Sequence, residues 1–133
     1  MITLADYAGK WAQSPDFNDT YKSNAVDLLQ RVNLLLADYG VVPNNPDTNS
    51  QVSGQLWGGF RTQACTIGAS NSAHKQGMAV DVYDPMAKLS KWLTNNPEKL
   101  VLYHLYREAP SATLTWSHLT TRAPGSGRRT FYP

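Results

Sequence analysis

Between residues 25 and 39 the apolar side chains follow a single rhythm. Ala25, Leu28, Leu29, Val32, Leu35, Leu36 and Tyr39 fall at i, i+3, i+4, i+7, i+10, i+11 and i+14. That spacing puts them on one face of an α-helix over four turns, because 3.6 residues complete one turn. Asn18, Asp19 or Thr20 can cap its start, and Gly40 sits where a left-handed C-terminal residue belongs. In a chain of 133 residues, one domain spanning 1–133, a helix of this length must form the main wall of the core.

The other elements are shorter. "TLAD" at Thr3–Asp6 has the form of a capping box opening a short helix. Val41 to Gly54, rich in Pro, Asn and Asp, reads as an irregular surface loop. "QLWGGFR" alternates briefly and predicts a strand ending near Arg61. "MAVDVY" also alternates, with Val80 and Val82 on one face and Asp81 on the other. Helical spacing recurs from Pro85 to Thr94. A further helix is predicted from Pro97 to Glu108, its apolar face made by Leu100, Val101, His104 and Leu105. "ATLTWSHLTT" is rich in β-formers and reads as a last core strand. Helices and strands mix without regular alternation, which predicts an α+β fold with a small, mainly antiparallel sheet packed by helices.

Net charge is +2, far from the density of a dedicated nucleic-acid binder. The basic cluster "TTRAPGSGRRTF" reads as a solvated tail or turn. The single cysteine, Cys65, has no partner for an internal disulfide and is expected as a small buried filler. The N-terminus lacks the basic start and continuous apolar stretch of a signal peptide, and no segment has the length of a bilayer span. Synthesis in a cytoplasm, without membrane insertion or nucleic-acid partners, is the expectation, as is a monomer.

The chemistry gathers around the three histidines. His104, on the apolar face of a predicted helix, reads as a core residue. His74, before the "MAVDVY" strand, and His118, in the last strand, could join Asp81 in a set of two imidazoles and one carboxylate. Such a set leaves a fourth tetrahedral position open, the pattern of a catalytic zinc site. Gly77 would let the turn between His74 and Asp81 bend, and small Ala79 would leave room beside a metal.

"SAHKQGMAVDV" resembles the S-x-H-x-x-G-x-A-x-D motif of the zinc D-Ala-D-Ala carboxypeptidase and L-alanyl-D-glutamate endopeptidase family, which cuts peptidoglycan peptides and includes bacteriophage endolysins. "GGFR" at Gly58–Arg61 is similar to the S-G-Y-R segment that precedes this motif there. "WSH" at Trp116–His118 is similar to the segment carrying the last ligand, and the order Arg, His, Asp, His agrees. The resemblance implies a Hedgehog/DD-peptidase type of fold and a Zn2+ ion on His74, Asp81 and His118. It also implies Ser72 and Arg61 at the substrate, and hydrolysis of peptidoglycan stem peptides in the bacterial cell wall after synthesis in the host cytoplasm. One departure stands out. The family places an acid three residues before the last His, as general base, and this chain has Thr115, whose hydroxyl cannot serve near neutral pH. Glu108 and Asp84 are the candidate replacements. With neither in place, the chain would be a weak enzyme, or a zinc-containing relative that binds cell wall or serves as a virion structural part without cutting. The ending "HLTTRAPGSGRR" is unlike the family's, so Arg122, Arg128 or Arg129 could form a rim of its own.

Overall fold

The computed structural model describes residues 1–54 and 56–133. Helix α1 (Leu4–Ala8) opens on the expected capping box: the Asp6 amide donates to Thr3 Oγ1 and the Thr3 amide to Asp6 Oδ2, both at 3.0 Å. Helix α2 (Asp19–Tyr39) is the long helix, capped by Asn18, whose Oδ1 accepts from the Tyr21 amide at 2.9 Å. Ala25, Leu28, Leu29, Val32, Leu35 and Leu36 are its buried residues, as the spacing predicts. Gly40 ends it, but at φ 122°, ψ −132°, a glycine conformation outside the left-handed helical region expected there.

Four strands make the sheet: β1 (Ala79–Tyr83), β2 (Tyr106–Glu108), β3 (Trp116–Thr120) and β4 (Thr130–Phe131). Their order is β1-β3-β2-β4. The β1/β3 and β3/β2 pairs are antiparallel and β2/β4 is parallel, so the sheet is small and mixed within an α+β fold. Period-two alternation divides it into two faces. Val80, Val82 and Leu119 join the core with the buried face of α2 and with Leu89 and Leu93 of helix α3 (Lys88–Asn95). Asp81 and His118 point the other way.

Several expectations change. Residues 56–59 form turns and bends and 60–61 continue without a strand, and Gln55, the first residue of that stretch, lies outside the described residues. The reason is close packing at Gly58 and Gly59: a Cβ on Gly58 would run into the Ser53 carbonyl, and one on Gly59 into the Tyr7 carbonyl. The helix predicted from Pro97 to Glu108 is only α4 (Glu98–Leu102), after which the chain turns at His104 (φ 54°) and enters β2. Val101 and His104 are therefore exposed, and His104 is not a core residue. Glu108 sits on a strand. The late basic segment holds an exposed turn at 125–128, one of its two expected forms, and is tied down on either side of it. The Arg107 amide donates to the Arg129 carbonyl at 2.7 Å, and the Arg129 guanidinium lies 4.4 Å from the Tyr106 ring centre. Arg128 is exposed. Cys65 is buried, as expected.

Candidate metal centre

His74 sits in a 3-10 turn (Ala73–Gln76) whose entry is capped by Ser72 and whose exit is Gly77, at φ 71° in the left-handed region. Gly77 also packs against the Tyr21 carbonyl of α2, where no Cβ would fit. The turn thus delivers His74 over the start of β1. Its Nδ1 lies 2.8 Å from the Gly59 carbonyl oxygen. A carbonyl only accepts, so Nδ1 carries the proton and Nε2 presents its lone pair.

Asp81 and His118 are register partners across β1 and β3. Asp81 Oδ1 lies 3.3 Å from His74 Nε2 and 2.9 Å from His118 Nδ1. The ligand atoms of the three residues lie within 4.8 Å of one another. His74, Asp81 and His118 therefore form a triad that could hold a metal ion, on the residues the sequence singles out.

Its electrostatics suit a cation. Burial holds the His74 imidazole below its ordinary pKa, against the opposing influence of Asp81. Burial alone would push the Asp81 carboxyl up, but His74 and His118 beside it hold it well below the usual carboxylate range. A neutral imidazole and an ionised carboxylate are the states in which both ligate metal. The hydrogen bond from His74 to Gly59 fixes ring and tautomer, as outer partners of metal ligands do.

Arg61, which the resemblance implies at the substrate, is 9% exposed and largely committed to the protein. Its Nε donates to the Trp57 carbonyl at 2.7 Å, Nη1 to the Ile67 carbonyl at 3.4 Å and Nη2 to Asp81 Oδ2 at 3.4 Å. It borders the cleft while steadying the carboxylate ligand.

The candidate bases separate cleanly. Asp84 follows Tyr83 on the core side of β1. It accepts from the Leu89 and Ser90 amides at 3.0 and 2.9 Å and from the Ser117 hydroxyl at 3.2 Å. It anchors the start of α3 and is not a base for this site. Thr115 is exposed, and it precedes a ladder that runs without a bulge from Trp116 to Thr120. The bend that would bring position 115 round to the side of His118 is absent from β3. Glu108 alone of the three reaches the cavity. Tyr106 pairs with Thr120 and Arg107 with Leu119; one step further along that register sets Glu108 across from His118. Asp81, His118, Glu108 and Phe131 thus stand in a row across the four strands. Burial pushes the Glu108 carboxyl above its ordinary range, with His118 opposing, Asp81 adding and Arg61 opposing.

The triad floors a cleft with two arms that share Arg61, Asp81 and Trp116. The larger, about 550 Å3, holds Ser72, His74, Glu108, His118 and Arg122 in its wall. Ser72 Oγ accepts from the His74 amide at 3.3 Å, which leaves its proton for another partner. Arg122 donates to Gln76 Oε1 at 2.9 Å and to the Asn71 carbonyl at 3.0 Å. It is the cation of the late segment that reaches the cleft. The smaller arm, about 330 Å3, is bordered by Leu56, Trp57 and Trp116, none of which the sequence reading marked as functional beyond the motif containing Trp116.

No protein-family model, curated protein or solved structure matches the chain. What the site can do therefore rests on its own residues: three ligand groups facing one another, one free carboxylate beside them, and a cleft open to solvent. Among the described residues, no helix is long and apolar enough to cross a membrane.

Proposed function

We propose that the chain is a zinc-dependent peptidase that hydrolyses the stem peptides of peptidoglycan, in the manner of a phage-type lytic endopeptidase or carboxypeptidase, acting as a monomer on the cell wall. The observation that carries this reading is the row Asp81–His118–Glu108 on one sheet face with His74 above it. It joins a metal triad to a carboxylate outside that triad, in the motif order of the peptidase family. Two imidazoles and a carboxylate favour zinc over hard cations, which prefer all-oxygen sites.

Zinc held by His74, Asp81 and His118 would supply Lewis acidity, polarising a carbonyl and easing the ionisation of water. The protein's own groups divide the remaining work. Glu108 replaces the acid that Thr115 does not supply: its carboxylate takes the proton of the attacking water and returns it to the leaving amine. A carboxyl held above its usual range is better matched to both transfers than an ordinary one. Arg61 keeps Asp81 oriented through Oδ2. The Ser72 hydroxyl and the Arg122 guanidinium offer donors to the substrate's carbonyl and carboxylate groups. Gly59 fixes the tautomer of His74, so that ligand needs no reorganisation.

A zymogram on purified cell walls, with and without chelator, tests the reading. Clearing that chelator abolishes and added zinc restores is expected. Wall binding without clearing would instead identify a non-catalytic relative that keeps the metal and the groove.

A further inference from the structure

The smaller arm of the cleft has a different chemistry from the larger. Trp57 and Trp116 line it with Leu56, Ser53 and Gly54, and it meets the metal centre at Asp81. One side of the Trp57 indole is already covered: Trp11 stacks on it, with ring centres 5.1 Å apart and planes at 25°. Trp11 in turn donates its indole N–H to the Leu56 carbonyl at 3.3 Å and carries Lys10 over its ring at 4.8 Å. Trp57 is thus a braced platform, held by Trp11 and bordering the cleft. Trp116 projects from the same sheet face as His118, two residues away along β3. Among the described residues, neither Trp57 nor Trp116 gives its indole N–H to a protein acceptor, although buried or half-buried indoles usually find one.

We infer that this arm is a subsite for a sugar ring, so that the protein takes the stem peptide together with the glycan that carries it. A pyranose has an apolar face of C–H groups and a rim of hydroxyl and acetamido groups. Flat indole surface fits the first; the indole N–H groups and the Ser53 hydroxyl fit the second. A purely aliphatic side chain would leave those donors unpaired, and a carboxylate would find its cation, Arg61, already engaged with Asp81. Because the arm begins at Asp81, the bond presented to the metal centre would lie near the sugar end of the peptide. Because the two arms meet there, substrate would extend to both sides of that bond, as an endopeptidase requires. This inference rests on the peptidoglycan reading but concerns only the smaller arm.

The test uses the full chain, labelled with 15N, and the four tryptophan indole N–H signals as reporters. The probe is the N-acetylglucosamine–N-acetylmuramic acid disaccharide without peptide, compared with the free stem peptide. Saturable shifts of the Trp57 and Trp116 signals with the disaccharide, while Trp92 stays fixed, are expected. Trp57→Ala should weaken that binding at least about tenfold, and Trp57→Phe, which keeps a ring, should lose less. If the disaccharide moves no indole signal, or only the free peptide moves those of Trp57 and Trp116, the sugar subsite is refuted. If Trp57→Ala binds the disaccharide as the parent does, the arm is not the site. Cell-wall clearing by the parent protein is scored separately, so a failed sugar titration beside a positive zymogram sinks this inference alone.

Discussion

Glu108→Gln separates the proposed base from the metal triad. The substitution keeps the side chain's volume and its strand position and removes only the ability to accept a proton. Loss of a general base costs on the order of 10²–10⁴-fold in rate. The upper part of that range applies here. The other acidic side chain in the cavity wall is Asp81, which is occupied by both histidines and Arg61 and so is a poor substitute acceptor. A fall of about 10³-fold in kcat/KM on a soluble stem peptide is expected, or about 4 kcal/mol in the barrier. Zinc content should stay at one equivalent. The fold provides a control. Burial raises the Glu108 carboxyl above 4.5, so in the metal-free fold its stabilising contribution is present below pH 4.5 and is lost as pH rises through the folded value. At pH 7 the metal-free glutamine variant should therefore melt no lower than the parent. A variant that keeps its zinc and its melting temperature but retains activity within about threefold would refute Glu108 as the base.

His74→Ala should lose about one equivalent of zinc in metal analysis, while His104→Ala, changed at an exposed turn, should lose none. Arg61→Lys keeps the charge but cannot reach the Trp57 and Ile67 carbonyls and Asp81 together; zinc affinity measured against a competing chelator should fall about 10–100-fold, the usual effect of disturbing a ligand's outer partner. Asp84→Asn leaves one oxygen for three donors at a buried position, so urea denaturation should show a loss of about 1–3 kcal/mol with zinc content intact. Thr115→Asp should add no activity, because position 115 lies outside the cleft; a gain of tenfold or more in stem-peptide kinetics would mean that β3 bends in solution as it does not here.

The parts of the fold legible in the sequence are those where one element buries one face. Helix α2 shows its 3.6 rhythm because all its apolar residues meet the same core, and β1 shows alternation because Val80 and Val82 face inward while Asp81 faces the cleft. The stretch after Pro97 misleads for the opposite reason. Leu100 and Leu105 are both buried, but from different sides of a turn at His104, so their spacing imitates a single helix. Arg107 conceals β2 further: it is a buried cation whose partners, the Ser90 carbonyl and the hydroxyls of Thr94 and Thr130, come from distant segments. The metal triad could be found from ligand chemistry and motif order. Glu108 could only be offered as a candidate, since its place beside His118 depends on the β2/β3 register. The aromatic arm was hidden because Trp57 and Trp116 are far apart in sequence.

The short N-terminal helix touches no ligand, yet it sets the height of the floor on which the ligands stand. Tyr7 gives its hydroxyl to the Ala79 carbonyl at 2.9 Å, and its own carbonyl receives the Phe60 amide at 3.1 Å. Between those two bonds lie both supports of the site: Gly59, which holds the His74 ring, and β1, which carries Asp81. The distance between the two ligands is therefore gauged by a tyrosine that lies more than fifty residues upstream of either. A version of the chain shortened past Tyr7 would retain every ligand and lose the spacer that keeps two of them in register.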